Sequence, residues 1–329
     1  APADIVFSGV GKTEAELRTA LAAGVGQINI ESAEELAMLA AIADGMGLRA
    51  PVALRVNPDV DAGTHAKITT GRAENKFGIP IDTARELYAR AANTAGISVR
   101  GVAVHIGSQI TTLAPYRAAY ARLAELVRSL RAEGLPVERV DCGGGLGIAY
   151  RNEPAPSPAA FAHVLRETLG RLGLPLMLEP GRWLIGPAGL LLARVILEKQ
   201  GSSHRFVILD AAMNDLIRPS LYEAWHAIVP VSATRWHVPL APAEVVGPVC
   251  ESGDTFASAR MLPPLGPGEL VAILDAGAYG AVMSSTYNAR PLAAAVMVRR
   301  DEIAVIRQRQ SHEALIALDV IPPWLASGR

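Results

Sequence analysis

Cysteine is nearly missing from this 329-residue chain. Only Cys142 and Cys250 occur, too few for a disulfide scaffold or a thiolate zinc site. Net charge is missing as well: 31 Lys and Arg stand against 32 Asp and Glu, a formal charge of -1. Bulk charge therefore gives no reason to expect binding to nucleic acid or to a membrane surface. No apolar run reaches the roughly 18–20 residues of a membrane span; the best stretch is residues 189–197. No basic segment followed by an apolar one marks a secretory signal. Half of the residues are hydrophobic, and the length suffices for two ordinary domains. The expectation is a globular, cytoplasmic protein that handles a small molecule. Its first residue is Ala1, and an apolar run begins within four residues.

Residues 1–185 alternate between short β-branched or apolar runs and Ala/Leu/Glu/Arg stretches of helical spacing. Strands are expected at 5–8, 27–30, 52–56, 101–106, 137–141 and 175–178. Thr13 before Glu14 and Glu16, and Ser32 before Glu34 and Glu35, are helix caps with acids in the first turn. Six βα units imply a parallel sheet of the (β/α)8-barrel type, although a closed barrel needs eight. Residues 186–329 change texture. Strand-like runs at 190–198, 206–210, 243–250, 270–275, 293–299 and 302–307 alternate with Pro- and Gly-rich turns, and a short helix is expected at 311–318. This reads as an all-β domain, sandwich or barrel, with antiparallel pairing. The fold class is α/β plus β.

Chemistry-bearing residues gather where runs end. Asp141-Cys-Gly-Gly-Gly-Leu-Gly147 follows a strand. Glycines there let backbone approach an anion, and a helix starting just beyond would add a favourable field. Neither a dinucleotide fingerprint nor a Walker loop fits, and a plain tight turn is an equal alternative. Glu179-Pro-Gly-Arg182 places a carboxylate and a guanidinium at another strand end, as a binding pair or an internal ion pair. His105-Ile-Gly-Ser-Gln109 ends a third strand on the same rim. Arg218 and Tyr222, four apart, would share a helix face and suit a carboxylate, but spacing alone favours a solvated loop. Cys250-Glu-Ser-Gly-Asp254 offers a thiol beside an acid, or a buried small hydrophobe. Asp275-Ala-Gly-Ala-Tyr-Gly280 and Tyr287-Asn288 supply tyrosines beside glycine, as phosphate donors or as packing.

Taken in order, HIGSQ, DCGGGLG, EPGR, MNDLIRPSLY, CESGD and DAGAYG resemble the diaminopimelate decarboxylases, pyridoxal-phosphate (PLP) enzymes of the alanine-racemase fold type. The segment from Arg55 to His65 and on through Glu74-Asn-Lys-Phe-Gly-Ile79 resembles that branch more than the ornithine or arginine branches. The resemblance covers essentially the whole chain. It implies that Gly143, Gly144 and Gly145 hold the PLP phosphate, with Ser108, Gly181, Arg182 and Tyr279 adding cofactor contacts. It implies that Glu179 pairs with the pyridine nitrogen and His105 stacks on the ring. Arg182, Arg218, Tyr222 and Tyr279 would hold the substrate, with Glu251 at its amino end and Cys250 as proton donor after CO2 loss. The reaction implied is meso-2,6-diaminopimelate to L-lysine and CO2, in a homodimer whose Cys250–Glu251 loop enters the partner's site. Rival readings are another basic-amino-acid decarboxylase of this fold, or a non-catalytic paralogue acting through dimerisation.

One feature departs from the family pattern. Its Schiff-base lysine sits in a Tyr-Ala-x-Lys-Ala-Asn type segment, and these residues contain no such segment. The lysines are Lys12, Lys67, Lys76 and Lys199. The expectation is a fragment lacking the family's first two βα units. Made alone, it would be inactive or nearly so, and poorly folded because two parallel edges lie open.

Overall fold

The computed structural model describes residues 1–64, 70–71 and 74–326. His65 and Lys67 lie outside the described residues. The chain divides into two compact units, Ala1–Ala149 with Glu153–Trp183, and Tyr150–Asn152 with Leu184–Arg329. The sequence reading placed the boundary at 185/186 and assigned residues 150–152 to the first part.

In the first unit the strands are β1 (Val6–Phe7), β2 (Gln27–Ile30), β3 (Ala50–Asn57), β4 (Ile79–Pro80), β5 (Ile97–Val104), β6 (Arg139–Gly144) and β7 (Leu176–Glu179). They form one parallel sheet in the order β1-β2-β3-β5-β6-β7, with β4 attached to β3. The helices α1 (Glu14–Ala23), α2 (Ala33–Gly45), α3 (Ile81–Ala92), α4 (Ala114–Ala132), α5 (Pro158–Thr168) and α6 (Gly181–Ile185) alternate with the strands. This is the six-unit parallel half-barrel of an alanine-racemase-like domain. The central strands are buried along nearly their whole length, as for β2 and the last six residues of β3, because such a sheet is covered on both faces. Apolar residues dominate them, with Gln27, Asn29, Arg55 and Asn57 as buried polar exceptions.

Local chemistry sets the boundaries. Thr13 and Glu16 form a reciprocal capping box at the start of α1, and Gly24 in the left-handed region closes it. Ser32 Oγ accepts from the Glu35 amide, 3.1 Å, at the start of α2. Helix α4 buries Tyr116, Tyr120, Leu123, Val127 and Leu130, a stripe at helical spacing. Its two tyrosines also reach β6: Tyr116 Oη donates to the Gly144 carbonyl, 3.1 Å, and Tyr120 Oη to the Cys142 carbonyl, 3.0 Å. The end of β6 is thereby fixed by the helix behind it.

The second unit contains β8 (Leu191–Gln200), β9 (Arg205–Leu209), β10 (Ile228–Pro230), β11 (Ala241–Val246), β12 (Thr255–Leu262), β13 (Leu270–Ile273), β14 (Ala295–Arg299) and β15 (Glu302–Arg307). Six of them form a sheet in the order β10-β13-β8-β9-β11-β12, around a core including Val195, Val207, Val245, Phe256, Val271 and Ile273. The expectation of purely antiparallel pairing needs correction: β9 and β11 run parallel, Phe206 facing Glu244. The long connection through β10 lets the chain return in the same direction. Helices α7 (Arg218–Tyr222) and α8 (His312–Ile316) complete this unit, the latter capped by Ser311 Oγ on the Ala314 amide, 3.0 Å. Among the described residues, no helix is long and apolar enough to cross a membrane.

Candidate active site

The carboxyl ends of parallel strands converge, so side chains at those ends face a common space. In the first unit, Ser8, Asn29, Arg55, His105, Asp141 and Glu179, with backbone of 103–104, line a cavity of about 200 Å³. One residue or more comes from the end of each of β1, β2, β3, β5, β6 and β7. His105 and Glu179 were singled out in the sequence as site residues. Ser8, Asn29 and Asp141 were given no role, and Arg55 appeared only as a branch marker. A readable signal existed for β2: Gln27 and Asn29, two apart in an otherwise apolar strand, must share one face.

These polar groups form a connected network. Asp141 Oδ2 accepts from Asn29 Nδ2 at 3.1 Å and from Gln27 Nε2 at 3.5 Å, while Oδ1 accepts from the Gly143 amide at 3.0 Å. Asn29 Nδ2 also donates to Ser8 Oγ, 2.9 Å. Glu179 stays accessible to solvent at the cavity while part of its carboxyl is buried. That burial, together with the neighbouring Asp141 carboxylate, pushes its carboxyl up to about 7, and Arg55 opposes the rise. His105 moves the other way: burial, helped by Arg55, lowers it to about 4. Its Nδ1 accepts from the Gly144 amide, 3.2 Å, so the ring is neutral with the proton on Nε2.

Arg55 is aimed by a second network. Its NH1 meets Glu31 Oε1 at 2.7 Å, and Glu31 Oε2 accepts from the Gly78 amide at 2.9 Å. Beside it, Lys12 is buried and gives Nζ to the carbonyls of Gly9 (2.7 Å) and Asn29 (2.8 Å) and to Glu35 Oε1. Every donor direction of the Lys12 ammonium has an acceptor, so it is a structural ion.

The glycine-rich turn differs from its expectation in two ways. No helix follows it directly; the next one, α5, begins only at Pro158, because the chain first lays Leu146 beside Ile110 in a parallel bridge. The glycines are also required by packing. A Cβ on Gly143 would lie 2.1 Å from the Val104 carbonyl oxygen, one on Gly144 2.0 Å from that of Glu179, and one on Gly145 2.2 Å from that of Gly107. Gly143 and Gly144 have their amides on Asp141 and His105. Their absent side chains let β6 press between β5 and β7 and carry Glu179 toward Asp141. Farther along the rim, Arg182 NH2 donates to Ser108 Oγ, 3.1 Å, with Arg182 buried at the start of α6 beside Gly181.

In the second unit, residues 218–222 are helical rather than the solvated loop that spacing alone favours. Pro219, in the first turn of α7, suits a helix start, and Arg218 is 5% exposed. Cys250 and Glu251 lie in an exposed turn, with Tyr287 Oη donating to Glu251 Oε2, 2.6 Å. Asp254, 3% exposed, ties this turn to the segment before α7: its oxygens accept from the amides of Met213 (2.7 Å) and Val249 (2.8 Å). Ser220 Oγ adds a bond to the Gly253 carbonyl, 2.6 Å. Tyr279, in the left-handed region at φ 54°, is half-exposed.

A parallel half-barrel carrying a raised carboxyl and a neutral histidine at its rim suits a cofactor-binding enzyme domain, and the class is given by its relatives, the pyridoxal-dependent decarboxylases. The family model described as "Pyridoxal-dependent decarboxylase, pyridoxal binding domain" matches residues 1–186. The diaminopimelate decarboxylase of Zymomonas mobilis is 48% identical over 326 residues, covering 98% of this chain and 77% of that protein. The crystal structure of diaminopimelate decarboxylase from Helicobacter pylori complexed with L-lysine has a TM-score of 0.93 at 41% identity, covering 96% of this chain and 79% of that one. The crystal structure of diaminopimelate decarboxylase from M. jannaschii in co-complex with L-lysine has a TM-score of 0.92 at 36% identity, covering 98% of this chain and 76% of that one. The chain belongs to the diaminopimelate decarboxylase family.

The residues present fit the family's cofactor. A pyridine ring that carries a proton on nitrogen needs a carboxylate partner, and Glu179 is a carboxylate raised by burial and by Asp141 with a positive partner still to gain. A neutral His105 beside the same cavity can lie against a ring without adding charge.

The Glu179 shift has a consequence for stability. An acid raised from 4.5 to about 7 holds its proton more tightly in the folded state. Its contribution is therefore most favourable below pH 4.5 and declines as pH rises through 7. Glu179→Gln removes that decline. The variant without PLP is expected to gain thermal stability over the parent at pH 8 and little at pH 4.5, as measured by calorimetric melts. An equal gain at both pH values contradicts the raised pKa of Glu179.

Proposed function

We propose that this chain decarboxylates meso-2,6-diaminopimelate to L-lysine and CO2, as a homodimer in the cytoplasm. The observation that carries the reading is the convergence of His105, Asp141 and Glu179 on one cavity at the carboxyl ends of the parallel sheet. The relatives' names supply the substrate class.

In this reading Glu179 would pair with the pyridine nitrogen and keep it protonated, with Asp141 anchored by Asn29 and Gln27 behind it. His105 would lie against the ring. Gly145 and the residues beyond it, with Ser108 and Tyr279, receive the phosphate; Gly143 and Gly144 contribute mainly by letting the strands close. PLP, when bound, supplies the electron sink for the pair left when the bond from Cα to the departing carboxyl carbon breaks. Cys250 then places a proton on Cα. Arg182, Arg218 and Tyr222 hold the carboxylate that stays, and Glu251 meets the amino end, so a substrate charged at both ends is selected.

The test is a chimera that joins the lysine-bearing segment of the Zymomonas mobilis relative to residues 1–329, assayed against a panel of amino acids. Turnover of meso-diaminopimelate to lysine, with ornithine and arginine at least about a hundredfold slower in kcat/KM, is expected. A folded, PLP-loaded chimera that prefers ornithine or arginine would overturn the substrate assignment.

A further inference from the structure

The mechanism above makes no use of His226, which is 1% exposed and packed directly against Arg218. Its Nδ1 stands 2.8 Å from the Leu274 carbonyl oxygen. A carbonyl can only accept, so Nδ1 carries the proton and the neutral ring offers the lone pair of Nε2. Arg218 NH1 donates to that Nε2 at 2.6 Å. The ring edge rests on Tyr150 with centroids 5.2 Å apart at 73°, and the Arg218 guanidinium carbon lies over the same tyrosine ring at 4.6 Å. The backbone is fixed too: Arg260 NH1 donates to the His226 carbonyl, 2.8 Å.

We propose that His226 is the positioning residue that aims Arg218 at the substrate carboxylate that survives decarboxylation. This rests on the reading of Arg218 as a carboxylate clamp. The physical argument concerns what a neutral acceptor does. A carboxylate at the His226 position would also orient the guanidinium, but its negative charge would compete with the ligand's. An imidazole locked in the Nδ1–H tautomer fixes the fork's direction through one nitrogen and adds no negative charge of its own beside the ligand. The Tyr150 face favours the cation and sets the guanidinium plane. Arg218 thus meets its ligand with little side-chain freedom left to lose.

The experiment uses two probes on the PLP-saturated protein, L-lysine and cadaverine, which is lysine without its carboxyl group. Dissociation constants are measured by calorimetry. His226→Phe keeps the ring against Tyr150 and removes the acceptor. It is expected to weaken L-lysine about tenfold or more, the range for a hydrogen bond to a charged group, and to leave cadaverine unchanged. His226→Gln, whose amide oxygen can reach the same place, is expected to recover most of the loss. Equal weakening of both probes, or no weakening of either, overturns the proposal. Arg218→Gln separates the two layers. If it leaves the lysine-to-cadaverine ratio unchanged, the clamp reading fails, and with it the role of His226. If it shifts the ratio while His226→Phe does not, only the positioning role fails. A measurement on the unsubstituted protein stands apart from any folding defect: nitrogen chemical shifts of the His226 ring are expected to show protonated Nδ1 and bare Nε2. The opposite tautomer overturns the proposal.

Discussion

Residues 1–329, made as a single polypeptide, saturated with PLP and given meso-diaminopimelate, are expected to release no lysine above the protein-free control. Covalent capture needs an amine that can reach the cofactor, and no lysine lines the cavity among the described residues. Lys12 is committed to Gly9, Asn29 and Glu35. Lys76 lies over the Phe77 ring at 5.3 Å, and Lys199 sits on β8 of the second unit over Phe206 at 5.5 Å. Lys67 falls outside the described residues. Borohydride, which makes a lysine–PLP link permanent, is accordingly expected to leave the protein's mass unchanged. Robust turnover together with a mass increase would show that one of these lysines leaves its present partners.

The second large effect falls on stability. Lys12→Met is expected to cost about 3–5 kcal/mol in denaturant melts, because it strands the Glu35 carboxylate in a buried site. The side chains of Lys12 and Glu35 are 2% and 9% exposed, and the Gly9 and Asn29 carbonyls lose a donor as well. The double variant Lys12→Met with Glu35→Met is expected to recover a large part of the loss, since neither charge then remains to be satisfied. A cost below about 1 kcal/mol would mean that the pair is effectively solvated. The same result would reopen Lys12 as a candidate for chemistry.

The strands of the first unit were legible because burial on both faces leaves mostly apolar runs between turn residues. Strand β2 begins and ends where expected, and β3 extends at both ends; β5 starts at 97 rather than 101 and ends at 104 rather than 106, and β6 is shifted to 139–144 from the expected 137–141. The second unit was harder. Strand β12 (TFASARML) mixes polar and apolar positions and carries Ala259 in the left-handed region at φ 47°, so no period of two survives. Strand β10 is three residues long, too short to carry a pattern. The site was legible at its strand-end motifs, His105, the 143–145 glycines and Glu179-Arg182. It was not legible where the chemistry lies in contacts remote in sequence. Nothing near Asp141 in the chain announces Gln27 and Asn29, and nothing near Arg218 marks His226 as the acceptor for its guanidinium. The glycines have a second reason that was not readable: close approach of neighbouring backbone already requires Gly at 143, 144 and 145, independently of any anion held there.

The measurement that bears most directly on this account is a crystal structure of the protein grown with saturating PLP. The account predicts the pyridine ring in the cavity bounded by Asn29, Arg55, His105, Asp141 and Glu179, with its nitrogen facing Glu179 and the His105 ring against its face. A ring seated elsewhere, or a nitrogen turned away from the Glu179–Asp141 pair, would contradict it.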